Sequence, residues 1–447
     1  MVPTLKCVVV GGGVAGLVAA LLAVKKGHHV SIVESSRECG GLLGSFRGTD
    51  GHFYDYGAHL LRDTGVGPLD RLLFGGLRAA DWQRFPYLNH GVYFSGTYRE
   101  KNRFPNVNFL PNARYEQGLA EILRCPPGER SLETAGDYLL DRFGATFTND
   151  VFAPAALKFY GTTLENLVVS ALRPFGLNRI IVSTPEVSRE LKRSAHFDSR
   201  FAFHSSEEGL SKLISYYPTR GGIGQWVQTL QHRLESQGAS ICTGVRVASL
   251  SHNAGHVEAV TLSDGRRLAA DHLIWTIHAG SLLQQASLPV PSFRPALRKS
   301  CLYFYAVDEP FRVGSHFYIC YDLGLRTFRT TLYSNLRSDP SERSHHSCCV
   351  EVLCEAQETE PGDAEVLQEQ VAMGVVDGGA RWTLVGKKII PNGFPVPTPE
   401  SVTATEDLAN SVAENFDNVL LLGKASSGVF LMEEILKNTY DVIEQRL

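Results

Sequence analysis

Residues 7–20, CVVVGGGVAGLVAA, set an apolar run, Cys7–Val10, against Gly11-Gly12-Gly13-Val14-Ala15-Gly16 and then against a small-residue segment. The order is strand, tight turn, helix. Each glycine has its own use in such a unit. Gly11 permits the turn, Gly13 lets the backbone approach a pyrophosphate, and Gly16 lets the helix pack closely on the strand. Val14 and Ala15 fall at the helix start, where free N–H groups and the positive end of the helix dipole favour an anion. Glycine clusters also mark ordinary turns, so the motif needs support from its surroundings.

Outward from the glycines, Leu17–Lys26 predicts a helix closed by Gly27. His29–Val33 then alternates toward a strand and ends on Glu34. That acid lies about 20 residues beyond the glycines, the spacing of a carboxylate that accepts hydrogen bonds from a ribose. A carboxylate there repels a 2′-phosphate, which argues against NADP. Ser35 follows, and soon after comes a second glycine pair, Gly40-Gly41, with Leu42 behind it. The far end repeats the pattern. Asn418–Gly423 is a buried-strand run ending in glycine, Lys424–Gly428 is a turn, and a closing helix is expected from about Phe430. Two strand–turn–helix units at opposite ends of the chain point to one shared ligand.

These segments resemble the flavoproteins that include amine oxidases, protoporphyrinogen oxidases and UDP-galactopyranose mutases. The resemblance implies non-covalent FAD, with Gly40 and Gly41 along its diphosphate and flavin. Leu42 stands where those families carry an arginine, so a positive partner for the diphosphate must come from elsewhere. The stretch Tyr54–Leu60, YDYGAHL, looks like their "D-x-G-x-H" segment, which puts Gly57, Ala58 and His59 beside the flavin ring. By the same resemblance the Val247 backbone pairs with the adenine, Gly423 borders the cofactor and the Met432 backbone approaches the ring. His59 is either an acid–base or orienting group, or a hydrogen-bonded histidine that shapes the pocket.

Leu323–Asn335, LGLRTFRTTLYSN, is similar to a mutase strand whose arginine, matching Arg329, contacts the flavin neighbourhood and substrate. Asn392–Thr398, NGFPVPT, looks like a second mutase segment, and Ala155–Gly161 like a "K-x-x-G" segment. Departures stand against a true mutase. After the last glycine, Lys424, Val429 and Phe430 replace the arginines and tyrosine that hold a nucleotide diphosphate, although Arg173 or Arg179 is placed to compensate. His59 and Arg329 are therefore the candidate catalytic residues. The expected reaction is oxidation of a small organic substrate by hydride transfer to flavin N5. The alternative is mutase-like chemistry on a sugar nucleotide without net redox change.

The chain has 447 residues, 43% hydrophobic, with 43 basic and 47 acidic side chains and a formal charge of −4. No long run of either sign is present, so a nucleic-acid partner has no support. Nine cysteines are too sparse for a disulfide framework and fit a reducing compartment. The first strand starts almost at once, leaving no room for a signal peptide, and no apolar run is long enough to span a membrane. The expected setting is cytoplasmic, with no metal; oligomeric state stays open. His345-His346 and Cys348-Cys349 with Cys354 lack metal-ligand spacing, and core packing is the expected role of those cysteines.

The expected fold class is α/β: a Rossmann-like FAD-binding domain interleaved with an α+β substrate-binding domain. Residues 1–75, 216–285 and 401–447 make the first, and 76–215 and 286–400 the second. Helices are expected at Leu132–Phe143, Asn149–Tyr160 and Gln225–Gln237, and strands at Ala239–Thr243, Leu302–Val307, Phe328–Tyr333 and Cys349–Leu353.

Overall fold

Strand β1 (Lys6–Val10) is buried on both faces from Cys7 onward, which explains its uninterrupted apolar run. The computed structural model describes residues 3–447 apart from 129, 210–212, 294 and 427. In it β1 is the middle of a five-stranded, wholly parallel sheet. Its companions are β2 (His29–Val33), β3 (Ser240–Cys242), β4 (His272–Trp275) and β5 (Val419–Leu421), in the order β3-β2-β1-β4-β5. Helix α1 (Val14–Lys25) crosses from β1 to β2. Cys7, Val9, Ile32, Ile274 and Leu420 point to the face shared with α1, α2 (Gly224–Ser236) and α3 (Met432–Arg446). Val8, Val10, Val33, Leu273 and Trp275 point the other way, onto a three-stranded meander, Val247–Asn253, His256–Leu262 and Arg267–Ala269. Helix α1 is buried continuously from Ala15 to Ala23, because the sheet lies on one side and α2 and α3 on the other. Its alanines make that close approach possible. An amphipathic pattern is absent for the same reason.

The second sheet has seven strands, in the order Trp382–Pro395, Leu297–Val307, His346–Cys354, Thr327–Leu332, Phe317–Cys320, His90–Phe94 and Thr97–Arg99. On one face Cys301, Tyr303, Cys348, Val350 and Cys354 form a core with Val366 of the helix Asp363–Ala372. The other face serves two cores at once. Leu302, Phe304 and Cys349 join the core of the parallel sheet, while Ile319, Tyr321, Phe328 and Leu353 join a helical layer. Glu351 lies between Cys349 and Leu353 on that face, at the seam. The two sheets draw strands from the chain alternately, which is the interleaved arrangement.

Several elements differ in extent from expectation, each for a physical reason. The strand expected at Leu302–Val307 begins at Leu297, because Arg298 and Lys299 are buried on partners rather than exposed. Arg298 donates to Lys158 O and Leu353 O, and Lys299 to Glu360. The helix expected at Leu132–Phe143 runs Ala135–Phe147, capped by Thr134, whose side chain accepts the Asp137 N–H. It is interrupted at Gly144 (φ +75°) and followed by a wide turn, Thr148–Phe152, before Ala153–Tyr160. Helix α3 starts at Met432, two residues later than expected, where Glu434 accepts the N–H groups of Phe430 and Leu431.

Candidate functional site

The glycine turn after β1 divides its labour. Gly11 has φ +102° and donates to Val33 O at 2.9 Å; a Cβ there would overlap the Thr276 hydroxyl. A Cβ on Gly16 would overlap the Gly11 carbonyl. Both are therefore fixed by the fold. Gly13 is different: a Cβ there would meet nothing within 4 Å. The turn thus keeps an open concavity above the start of α1, at Val14 and Ala15, where a pyrophosphate fits. Gly40 donates to Gly12 O at 2.8 Å and bridges Gly13, and a Cβ on Gly41 would come to 3.7 Å from the Gly13 Cα. The second glycine pair is thereby laid against the first, with Leu42 left 37% exposed beside it.

Glu34 is held by its two oxygens, one accepting the Gly12 N–H and the other the Ser36 N–H, both at 2.7 Å. The oxygen bound to Gly12 retains a lone pair for a further donor, while the other also accepts the Ser35 hydroxyl at 3.4 Å. Ser35 is exposed next to it. The chain returning from β3 passes close by, with Gly244 donating to Ser36 O and Val245 to Glu34 O. Val247 follows two residues later, half-buried, as the first residue of the meander. From the far end, Gly423 (φ +60°) lands on α1: a Cβ on it would come to 2.8 Å from the Ala15 Cβ. Lys424 is next in the chain and exposed, and Met432 opens α3, partly buried against the main core. Ser427 of this turn lies outside the described residues.

The turn 55–59 is built on a buried carboxylate. Asp55 accepts from Ser45, Tyr217 and the Ile223 N–H, and the Tyr333 hydroxyl donates to Asp55 O while accepting Asp55 N–H. Gly57 has φ +112° and faces the Glu351 carboxylate, to which the Ala58 N–H donates at 3.3 Å. Glu351 in turn holds Arg329 through two parallel bonds of 2.6 and 2.8 Å. Arg329 and Glu351 are direct cross-strand partners. Burial works against the Arg329 charge, but Glu351 beside it holds its pKa above the usual value. Sequence reasoning picked Arg329 and missed Glu351, whose one signal is a charge amid the apolar run CCVEVLC.

His59 Nε2 lies 3.1 Å from Tyr56 O, so that nitrogen carries the proton and donates. Burial, reinforced by the Arg329 charge, pushes the imidazole down to about 4, against the pull of Glu351 and the Tyr56 carbonyl. It is neutral at physiological pH and a poor proton donor there. In the unfolded chain a histidine titrates near 6.5, so on acidification the unfolded state binds the proton first. Stability tied to His59 is therefore full above about pH 6.5, falls as the pH drops toward 4 and then levels off, a loss of up to about 3 kcal/mol. Thermal unfolding across this range should show a shallower acid limb in His59→Gln than in wild type.

Arg329 in turn touches an aromatic group, its Cζ 5.5 Å from the centre of the Phe328 ring. Phe328 and Phe394, from the two segments expected near the substrate, lie 6.0 Å apart. Phe175 packs on both, at 5.3 and 5.4 Å, and Phe430 closes the group at 6.3 Å from Phe394 and 6.4 Å from Phe175. Phe430 is 40% exposed, two residues before Met432. Of the two arginines considered as diphosphate partners, Arg173 pairs with Glu434 at 2.8 Å and Arg179 reaches Phe201 O at 3.4 Å. Lys158 of the "K-x-x-G" segment is buried, donating to Asp322 O, Leu325 O and the Cys320 sulfur, so it braces the sheet.

The human protoporphyrinogen oxidase is 27% identical over 301 residues, covering 62% of this chain and 60% of that protein. The chain thus spans about three fifths of the length of such curated relatives. In fold it is similar to reduced UDP-galactopyranose mutase, with a TM-score of 0.78 at 17% identity, covering 99% of this chain and 95% of that one. It is also similar to an oxidoreductase from Methanosarcina mazei, with a TM-score of 0.63 at 16% identity, over 98% and 100% of the two chains. No helix among the described residues is long and apolar enough to cross a membrane. The sequence profile of the flavin-containing amine oxidoreductases matches residues 14–308, from the start of α1 through the strand Leu297–Val307. With this match over well more than half of the chain, and a fold likeness that covers nearly all of it, the chain belongs to the flavin-containing amine oxidoreductase family, and FAD is its cofactor.

Proposed function

We propose that this protein binds FAD non-covalently and oxidises a small, largely apolar organic substrate. The cradle would consist of Gly11, Gly13, Val14, Ala15, Gly16, Glu34, Ser35, Gly40, Gly41 and Leu42. Gly57, Ala58, His59, Gly423 and Met432 would lie at the ring and Val247 at the adenine. Bound there, FAD supplies the hydride acceptor, its N5 atom. The cofactor unit would be 1–75, 216–285 and 401–447, with 76–215 and 286–400 forming the substrate unit.

One observation carries the reading: the group Phe175, Phe328, Phe394 and Phe430 is aromatic, and Arg329, over the Phe328 ring, is already neutralised bidentately by Glu351. Phe175, Phe394 and Phe430 would pack an apolar substrate and exclude water. Neutral His59 holds the turn through Tyr56 O rather than moving a proton. Hydride abstraction from a C–H or C–N unit needs no more than this from the chain. A nucleotide diphosphate asks for free arginine forks. Arg329 and Arg173 are both engaged by carboxylates, which weighs against mutase-like chemistry.

The test is anaerobic mixing of the purified yellow protein with candidate amines and hydroaromatic compounds. The expected result is loss of the oxidised flavin's visible absorbance, and hydrogen peroxide or a reduced acceptor on aerobic turnover. Turnover of a sugar nucleotide only after dithionite reduction, without peroxide, would establish the mutase alternative instead.

A further inference from the structure

Two thiols meet on the face of the seven-stranded sheet that points away from Glu351. Cys301 and Cys354 lie on the neighbouring strands Leu297–Val307 and His346–Cys354, and their Sγ atoms are 3.9 Å apart. The register pairs Cys301 with Val352 and Lys299 with Cys354, so the cysteines are diagonal neighbours on one face. Both are buried. The cover over Cys354 is thin, however. It is the last residue of its strand, and the largely exposed segment 355–360 that follows is tied down by ion pairs. Arg298 reaches Glu355 at 3.2 Å, and Lys299 reaches Glu360 at 2.5 Å and donates to Glu358 O. Arg326 pairs with Glu358, and its guanidinium also lies 3.7 Å from the Cys354 sulfur. The side chains of Arg326 and Glu358 are 36% and 31% exposed. An ion pair this open to water is weak, so the segment over the sulfur lifts locally at little cost.

The two sulfurs are not equivalent. The Cys301 thiol donates to Cys354, whose sulfur also faces the Arg326 guanidinium. That donation, assisted by Arg326, holds the Cys354 pKa below the usual thiol value against burial and Glu358. The same bond pushes Cys301 up. Cys348 and Cys349, on the same strand as Cys354, are pushed up by burial. A thiolate stabilised by a neighbouring cation is the reactive form of cysteine, and a second thiol within reach resolves its first oxidation product.

We propose that Cys354 and Cys301 form a peroxide-sensitive modification site, in which Cys354 is oxidised first and Cys301 then closes a disulfide. The Cys354 thiolate attacks one oxygen of hydrogen peroxide. An S–O bond forms, the O–O bond breaks, and the departing hydroxide takes a proton and leaves as water. The Cys301 sulfur then attacks the sulfur of the Cys354 sulfenic acid. The S–S bond forms, the S–O bond breaks, and the hydroxyl leaves with the Cys301 proton as a second water. The two thiols lose two electrons in all, and the peroxide gains them. The new bond joins adjacent strands across the connection 302–353, which carries both Arg329 and Glu351, so oxidation staples the part of the sheet that holds this ion pair. Aerobic turnover, on the oxidase reading above, would itself supply the peroxide; the site responds to peroxide from any source.

The experiment treats the thiol-reduced holoprotein with hydrogen peroxide, unfolds it in an alkylating agent and maps the cysteines by tandem mass spectrometry. The expected product is a Cys301–Cys354 link, lighter than the reduced form by two hydrogens and reversed by dithiothreitol, with the other cysteines alkylated. Cys301→Ser should stop at a Cys354 sulfenic acid that dimedone traps, and Cys354→Ser should form neither product. Cys301→Ala serves if the serine variant fails to fold. Oxidation should raise the urea midpoint of the wild type and leave that of Cys301→Ser where it was. Glu358→Gln loosens the cover and leaves Arg326 to the thiolate, so it should speed the link about threefold or more. No link in the folded protein, oxidation of another cysteine ahead of Cys354, or over-oxidation of Cys354 without a link would overturn the proposal. An unchanged or slower rate in Glu358→Gln would overturn it as well. Because the peroxide is added, a link in a protein that oxidises no substrate would count against the oxidoreductase reading alone.

Discussion

Gly13→Ala is expected to leave the flavin-free fold intact and yet strip the protein of its cofactor. Gly13 has φ −73° and ψ −178°, open to any residue, and an added methyl group meets no protein atom. Removing a glycine from the unfolded ensemble even favours folding by about 0.4–1 kcal/mol. The methyl group instead occupies the concavity above the start of α1, so FAD affinity should fall at least about a hundredfold, near 2.7 kcal/mol. Gly16→Ala should behave in the opposite sense. Its Cβ overlaps the Gly11 carbonyl, which is backbone and unable to yield, so the flavin-free protein itself should lose about 2–4 kcal/mol. Thermal unfolding of the two flavin-free variants, with FAD titrations of each, separates a glycine kept for the ligand from one kept for the fold. Wild-type FAD affinity in Gly13→Ala would refute the placement of the pyrophosphate.

The second large effect belongs to the Arg329–Glu351 pair. Removing only Glu351, as Glu351→Leu, leaves a guanidinium facing the seam between two apolar cores without its counter-charge. Such a loss is worth about 3–5 kcal/mol. The Ala58 N–H also loses its acceptor, so flavin content should fall with stability. The double variant Arg329→Leu/Glu351→Leu should recover most of the stability, since an apolar pair of similar volume replaces a buried ion pair at little cost. It should not recover the flavin environment, because the turn at Gly57 and Ala58 still lacks its anchor. Urea unfolding of the four proteins gives the coupling energy; a single-variant loss below about 1 kcal/mol would show the pair to be solvated.

What the sequence made legible was whatever is local. CVVVGGGVAG, Glu34 and the second glycine pair declare strand, turn and helix within residues 7–41, and the structure lays the second glycine pair and the Glu34 carboxylate against the first turn. The far turn at Gly423 was legible because it repeats the same pattern. Glu351 was not, since its meaning depends on the strand register that sets it opposite Arg329 and beneath Gly57. Element ends failed where buried polar groups broke the alternation, as at Arg298 and Lys299.

The touch of Gly423 on Ala15 has a bearing on how the enzyme is made. Gly13 and Gly423 are 410 residues apart in the chain, so the two turns are synthesised at widely separated times. Until β5 pairs with β4 and sets Gly423 against α1, the cradle lies open along one side. Flavin capture is thus expected to wait on a contact of high sequence separation. Ribosome-bound intermediates stalled before residue 423 should be colourless, however much of the parallel sheet they have already formed.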